Sequence, residues 1–152
     1  MTTKKVENYE THVHPNGTKY WYQNGKLHRT DGPAIEYADG TEQWYRNGKL
    51  HRTDGPAIES SDGSKQWYLN GKRHRTDGPA VEYADGSKFW HLNGKCHRTD
   101  GPAVEYADGS KYWYLNGKRL SESEFLKQTQ PSQAGEGKII EINGKKYRLS
   151  EV

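Results

Sequence analysis

The stretch Trp67-Tyr68-Leu69-Asn70-Gly71-Lys72-Arg73-His74-Arg75-Thr76-Asp77-Gly78-Pro79-Ala80-Val81-Glu82-Tyr83-Ala84-Asp85-Gly86-Ser87-Lys88-Phe89 decides the fold, because at Trp90 it begins again. Trp21, Trp44, Trp67, Trp90 and Trp113 stand 23 residues apart. Within residues 13–119, Asn-Gly-Lys recurs five times, and His-Arg-Thr-Asp-Gly-Pro-Ala recurs four times unchanged. A fixed period of this size marks a repeat array. Each unit is one supersecondary element that buries its apolar face only against its neighbours.

Two dipeptides punctuate every unit. Asp-Gly recurs at Asp39-Gly40, Asp62-Gly63, Asp85-Gly86 and Asp108-Gly109; Asn-Gly recurs at Asn24-Gly25, Asn47-Gly48, Asn70-Gly71, Asn93-Gly94 and Asn116-Gly117. Both pairs favour positive φ and tight hairpins between aromatic and β-branched runs. Asp-Gly-Pro adds a third turn, after which proline opens a strand without needing a ladder donor. The expected fold is all-β, an elongated array of β-hairpin repeats of period 23, with a short C-terminal helix and a terminal β-hairpin.

Read as a two-residue loop, Asp39-Gly40 sets Tyr37 opposite Glu42, Glu36 opposite Gln43 and Ile35 opposite Trp44. Strand alternation then puts Pro33, Ile35, Tyr37 and Trp44 on one face, and Ala34, Glu36, Gln43 and Tyr45 on the other. The first face is a Trp ladder flanked by Ile35, Ile58, Val81 and Val104. The second carries Tyr22, Tyr45, Tyr68, His91 and Tyr114 beside Glu36, Glu59, Glu82 and Glu105. Equivalent residues recur every ~10 Å along such an array. A bare Trp–Ile face is a large apolar patch, so it is expected to be covered by sheet curling or by a homodimer.

The ends differ from the middle. Residues 1–12 are a polar lead-in. His14-Pro15-Asn16-Gly17-Thr18 fills the slot of Tyr37-Ala38-Asp39-Gly40-Thr41, so the array over 13–119 opens on a half unit. Ser121-Glu122-Ser123-Glu124 is a capping box, which predicts a helix over about 122–129, within a capping segment 120–130, folded onto the last strand. Residues 131–137 are a linker rich in Gly, Ser and Gln. Residues 138–152 hold a hairpin turning at Asn143-Gly144. An isolated hairpin is marginal in water, so this one is expected to dock on the array, on another chain or on a partner.

Only 30% of the 152 residues are hydrophobic and the mean hydropathy is −1.23, values that lean toward disorder. The 5 Trp and 11 Tyr, fixed in the repeat, argue instead for a thin extended fold with little core. The net charge is +3, but acids and bases alternate within each unit, which reads as a solvated surface and argues against nucleic acid. Cys96 is the one cysteine, so no intrachain disulfide forms. It fills a slot held elsewhere by Leu27, Leu50, Arg73 and Arg119, and reads as an incidental thiol. No apolar run approaches the ~20 residues of a membrane helix, and the N-terminus has no signal-peptide core. A cytoplasmic location is expected.

His28, His51, His74 and His97 invite a metal or catalytic reading. Histidines ~10 Å apart cannot share one metal, however, and a His–Asp pair would have to exist four times over. The simpler role is a structural loop in which Asp caps the turn and Arg pairs with a carboxylate. The repeated glutamates have like environments, whereas catalytic pairs need unlike ones. No nucleophile elbow, phosphate loop or zinc-ligand spacing appears. No catalytic residue, metal or cofactor is therefore expected, and the protein reads as a non-enzyme.

The candidate partner-binding residues are Tyr22, Tyr45, Tyr68, Phe89, His91, Tyr112 and Tyr114. A row of Tyr with polar neighbours makes an adhesive surface, though packing across strands alone also accounts for such a row. The row changes locally where Phe89 and His91 replace Gln66 and Tyr68, followed by Tyr112, and specificity is expected there.

Asn70-Gly71-Lys72-Arg73-His74 and Tyr83-Ala84-Asp85-Gly86-Ser87-Lys88 resemble the MORN repeat, whose units run Asn-Gly-Lys-x-His-Gly-x-Gly, an aromatic strand, then Asp-Gly-Ser-x-Tyr. Here Arg75-Thr76-Asp77-Gly78-Pro79-Ala80 replaces the family's glycine pair and Trp67-Tyr68 its Tyr-x-Gly-x-Trp strand, as in the divergent type of bacteriophages and large viruses. The resemblance implies a hairpin array that scaffolds, dimerises or binds partners: here a phage-encoded module expected to bind and modulate a host protein, such as a defence factor. Alternatives are a membrane-associated scaffold, a small-nucleotide sponge and a self-assembling structural protein.

Overall fold

The computed structural model describes residues 8–130, 139–142 and 145–148. Its hairpins follow from two turn chemistries. At Asn24-Gly25 both residues are left-handed, with φ 52° and 68°, and Gln23 pairs with Lys26. This is the two-residue loop the sequence predicts, and all five Asn-Gly pairs share its signs of φ.

The Asp-Gly turn is different. Asp39 keeps a negative φ; only Gly40 is left-handed, at 89°. The Asp39 carboxylate accepts the Thr41 N–H at 2.8 Å, which holds it in the right-handed turn. Tyr37 N–H donates to Thr41 O at 2.8 Å and Gly40 N–H to Tyr37 O at 3.1 Å. The loop therefore holds three residues, 38–40, closed by a left-handed glycine. Glu36 faces Glu42 and Ile35 faces Gln43.

This corrects the two-residue reading, and a one-residue slip turns a strand over. Neither the Trp–Ile ladder nor the Tyr–Glu face exists. Tyr20, Ile35, Gln43, Ile58, Gln66, Val81, Phe89, Val104 and Tyr112 form one continuous cross-strand row. Trp shares its side with Ala34 and the glutamates, where arginine covers it. No bare Trp–Ile patch is left for a homodimer to cover.

The spine is an antiparallel meander of 12 short strands among the described residues. Asp-Gly turns connect its strands along one edge. At the other edge the chain leaves after Trp44, Trp67 and Trp90 as a small separate hairpin, such as Tyr45–Arg46 with Lys49–Leu50, before returning through the Arg-Thr-Asp-Gly-Pro loop. The hairpins are stitched to one another by Gly48, Gly71, Gly94 and Gly117 N–H donating to Leu27, Leu50, Arg73 and Cys96 carbonyls, each at 2.8 Å. At the turn edge the Ser64 and Ser87 hydroxyls accept the N–H of Ala84 and Ala107 in the next unit, each at 3.0 Å. The apolar core is thin: Ala34, Ala57, Ala80 and Ala103, fully buried, with Ile35, Val81 and Val104.

Both ends follow the sequence reading, with one adjustment. The His14–Thr18 loop repeats the hydrogen bonds of the 37–41 loop, but its first strand, Glu10–Val13, takes residues assigned to the lead-in. The Ser121/Glu124 capping box opens a helix over Glu122–Thr129, which packs on the last strands through the buried Phe125. Ile139–Ile142 pairs with Lys145–Arg148 in the expected terminal hairpin. Its Asn143-Gly144 turn and the 131–137 linker lie outside the described residues.

Gly63, at φ 90°, tests the three-residue loop. Gly63→Ala is expected to lower stability by about 1–2 kcal/mol in urea unfolding, and Gly63→Asn by less, because Asn tolerates this region.

Candidate functional site

The strictly repeated motif proves to be a clamp. The Arg52 guanidinium lies 3.9 Å from the Trp44 ring centroid. Its Nε donates to Asp54 at 3.0 Å, and its Nη1 donates to Pro56 O at 3.1 Å and to Glu59 at 2.7 Å. Arg29, Arg75 and Arg98 repeat every contact. The hydrogen bond from arginine holds the Asp54, Asp77 and Asp100 carboxyls below their ordinary range. Gly55 leaves room for the clamp, since a Cβ there would lie 3.0 Å from Arg52 Cζ and press the guanidinium out of place.

The histidines are tied to the next unit. The N–H groups of Asn47, Asn70, Asn93 and Asn116 donate to Nδ1 of His28, His51, His74 and His97 at 3.2, 3.2, 3.1 and 2.9 Å. Among the described residues no group of three or more His, Cys, Asp or Glu side chains is placed to hold a metal. No described helix is long and apolar enough to cross a membrane.

All seven candidate partner-binding residues lie on the face opposite the clamp. Tyr22, Tyr45, Tyr68, His91 and Tyr114 stand two residues beyond the Ile/Val row, half-buried. The Tyr45 and Tyr68 hydroxyls donate to Gln43 and Gln66 at 3.1 and 3.2 Å. The flanking side chains are therefore Ile and Val, not the expected glutamates. Phe89 and Tyr112 replace those glutamines, and there the face becomes aromatic. Tyr83–Phe89, Phe89–Tyr106 and Tyr106–Tyr112 meet edge to face at 5.6, 5.4 and 5.9 Å, and Arg119 caps Tyr112 at 4.3 Å. Sequence reasoning missed Tyr83 and Tyr106, the more exposed rings at 40% and 45%. The signal in the sequence is mixed: where the ladder is absent the same slot holds Ser60 in one unit but Tyr37 in another.

His91 departs for a local reason. The Phe89 side chain offers no acceptor where those of Gln43 and Gln66 do, and His91 Nδ1 is buried without a hydrogen-bond partner. Burial, with the Arg73 charge second, lowers its pKa. Its cross-strand partner is Cys96, whose thiol is 3.7 Å from Ala103 O and is pushed up to about 11 by burial. That thiol stays protonated and unreactive at neutral pH. No protein-family model matches the chain, and no curated protein matches it.

A lowered folded-state pKa means the unfolded chain binds the His91 proton more tightly. The stability due to neutral His91 is complete above the unfolded value of ~6.5 and lost as pH falls below it. His91→Phe removes this dependence. In urea unfolding at pH 7, 6 and 5, wild type is expected to lose stability relative to His91→Phe as pH falls. A constant difference would contradict the assignment.

Proposed function

We propose that this chain is a non-enzymatic, MORN-like interaction module, encoded by a phage, that binds and modulates a host protein. The observation that carries the reading is the ladder of Tyr83, Phe89, Tyr106 and Tyr112. Edge-to-face rings hold one another in place, so a partner meets large apolar area at little entropic cost. The first full units lack the continuous ladder: Gln43 and Gln66 hold the Phe89 and Tyr112 slots and Ser60 one tyrosine slot, while Tyr37 stands alone in the other. The repeat folds without these aromatics, which supports a role for them beyond folding. Half-exposed Tyr83 and Tyr106, with Arg119 at one end, match the aromatic and Arg composition of interface hot spots.

The repeat supplies its own control. Phe89→Gln with Tyr112→Gln installs the residue that Gln43 and Gln66 already hold, so folding is retained. A tagged pull-down from host-cell lysate is expected to yield a stoichiometric protein with wild type and none with the double variant. The same proteins in both lanes would remove the ladder from the account. Circular dichroism and melting temperature confirm that the variant is folded.

A further inference from the structure

Three grooves recur along the Trp side, opposite the aromatic ladder; Leu92 and Leu69 line two of them, and Arg46 takes that place in the third. One lies between the Arg75–Gly78 and Arg98–Asp100 loops, is lined by Trp90, Leu92 and His97, and encloses about 490 Å³. The grooves at Trp67 and Trp44 enclose about 460 and 370 Å³.

Several groups in these grooves have no work in the fold. Thr53, Thr76 and Thr99 are exposed and form no hydrogen bond among the described residues, although the repeat keeps them identical. The indole N–H groups of Trp44, Trp67 and Trp90 have no acceptor among the described residues and none is a buried orphan. On the rims the aspartates are more exposed than the arginines that hold them: Asp54, Asp77 and Asp100 side chains are 82%, 80% and 79% exposed, against 22%, 21% and 21%, and only the Trp44 groove adds an exposed cation, Arg46. Each carboxylate uses one oxygen on its arginine, leaving the other toward solvent.

The spacing selects the ligand. Two strands per unit at ~4.8 Å set the grooves about 9.6 Å apart. A polyproline II helix returns the same side chain every three residues, at 3.1 Å each, or about 9.3 Å per turn. Across three grooves the mismatch is only about 0.6 Å. An extended strand fails this test, because a three-residue step turns its side chain to the other face. A polyproline II backbone has no internal hydrogen bonds, so its carbonyls are free to accept indole N–H, and aromatic-lined grooves suit its proline rings. The acidic rim favours cationic residues between the prolines. We propose that these grooves bind a basic, proline-rich segment as a polyproline II helix, one helical turn per repeat unit.

The tryptophans line the grooves, so their fluorescence reports binding directly. Full-length protein is titrated with (Pro-Pro-Lys)n peptides of two, three and four triplets, and with (Gly-Gly-Lys)4. The four-triplet peptide is expected to bind at least ~10-fold more tightly than the two-triplet one as further grooves engage. The glycine peptide, equal in charge but without the preformed helix, is expected to be at least ~10-fold weaker. Thr76→Arg intrudes from an exposed position on the two grooves that Thr76 lines and is expected to weaken binding several-fold; with Thr53→Arg and Thr99→Arg added, binding is lost. Phe89→Gln/Tyr112→Gln leaves it unchanged, which separates this site from the aromatic ladder. Equal affinity for the proline and glycine peptides, independence of peptide length, or no fluorescence change up to ~1 mM peptide overturns the proposal.

Discussion

The fold depends on an arginine laid flat on a tryptophan. With so little apolar surface to bury, the chain cannot be held by a conventional core. Each unit instead seals its Trp with a guanidinium whose donors reach an aspartate, a glutamate and a proline carbonyl. The arginine covers aromatic surface, pairs with a strand glutamate and ties the returning loop to the sheet, while Lys19, Lys65, Lys88 and Lys111 alternate with the glutamates across most of the strands. Glu36, Glu42 and Glu59 lie on adjacent strands in direct register, and both outer members of that row have an arginine. The guanidinium passes close over the motif's glycine, where a side chain would crowd it. His-Arg-Thr-Asp-Gly-Pro-Ala is thus one mechanical part, apart from Thr53, Thr76 and Thr99; the Thr30 of the first copy is bonded to Tyr9.

Stitching between units is equally polar. Hydroxyls at the turn edge, and histidines and glycine N–H groups at the hairpin edge, each reach the neighbouring unit. Units therefore stack on nearest-neighbour bonds, as repeat proteins do, which frees one sheet face for local variation. The aromatic ladder uses that freedom. Phe89 and Tyr112 change the surface without disturbing the clamp on the other side. His91 marks the cost of this change, since the acceptor its neighbours use is gone.

Much of this was legible in the sequence. The period gave the array, Asn-Gly the hairpins, His14–Thr18 the opening half unit and Ser121/Glu124 the helix. The register was not legible. Asp-Gly and Asn-Gly look alike as turn signals, and what separates them is the Asp39 carboxylate binding the Thr41 N–H, which sets a three-residue loop. That single residue moved Trp to the glutamates and Tyr to the Ile/Val row. The candidate residues stayed together because Gln43 and Tyr45 alternate on one continuous run, a relation no loop length alters. Tyr83 and Tyr106 were missed because they reach the ladder only across that loop. The carboxylate partner of each arginine was anticipated; its stacking on Trp was not, because nothing in a linear sequence brings Arg52 back over Trp44.

The most direct measurement is the stability of Arg75→Lys by urea unfolding. Lysine keeps the charge but loses the planar fork that stacks on Trp67 and holds Asp77, Pro79 and Glu82 together. The expected result is a loss of about 2–3 kcal/mol, well beyond a surface charge pair. A change within about 0.5 kcal/mol, the range of an ordinary surface substitution, would mean that charge alone suffices and that the clamp does not hold the array.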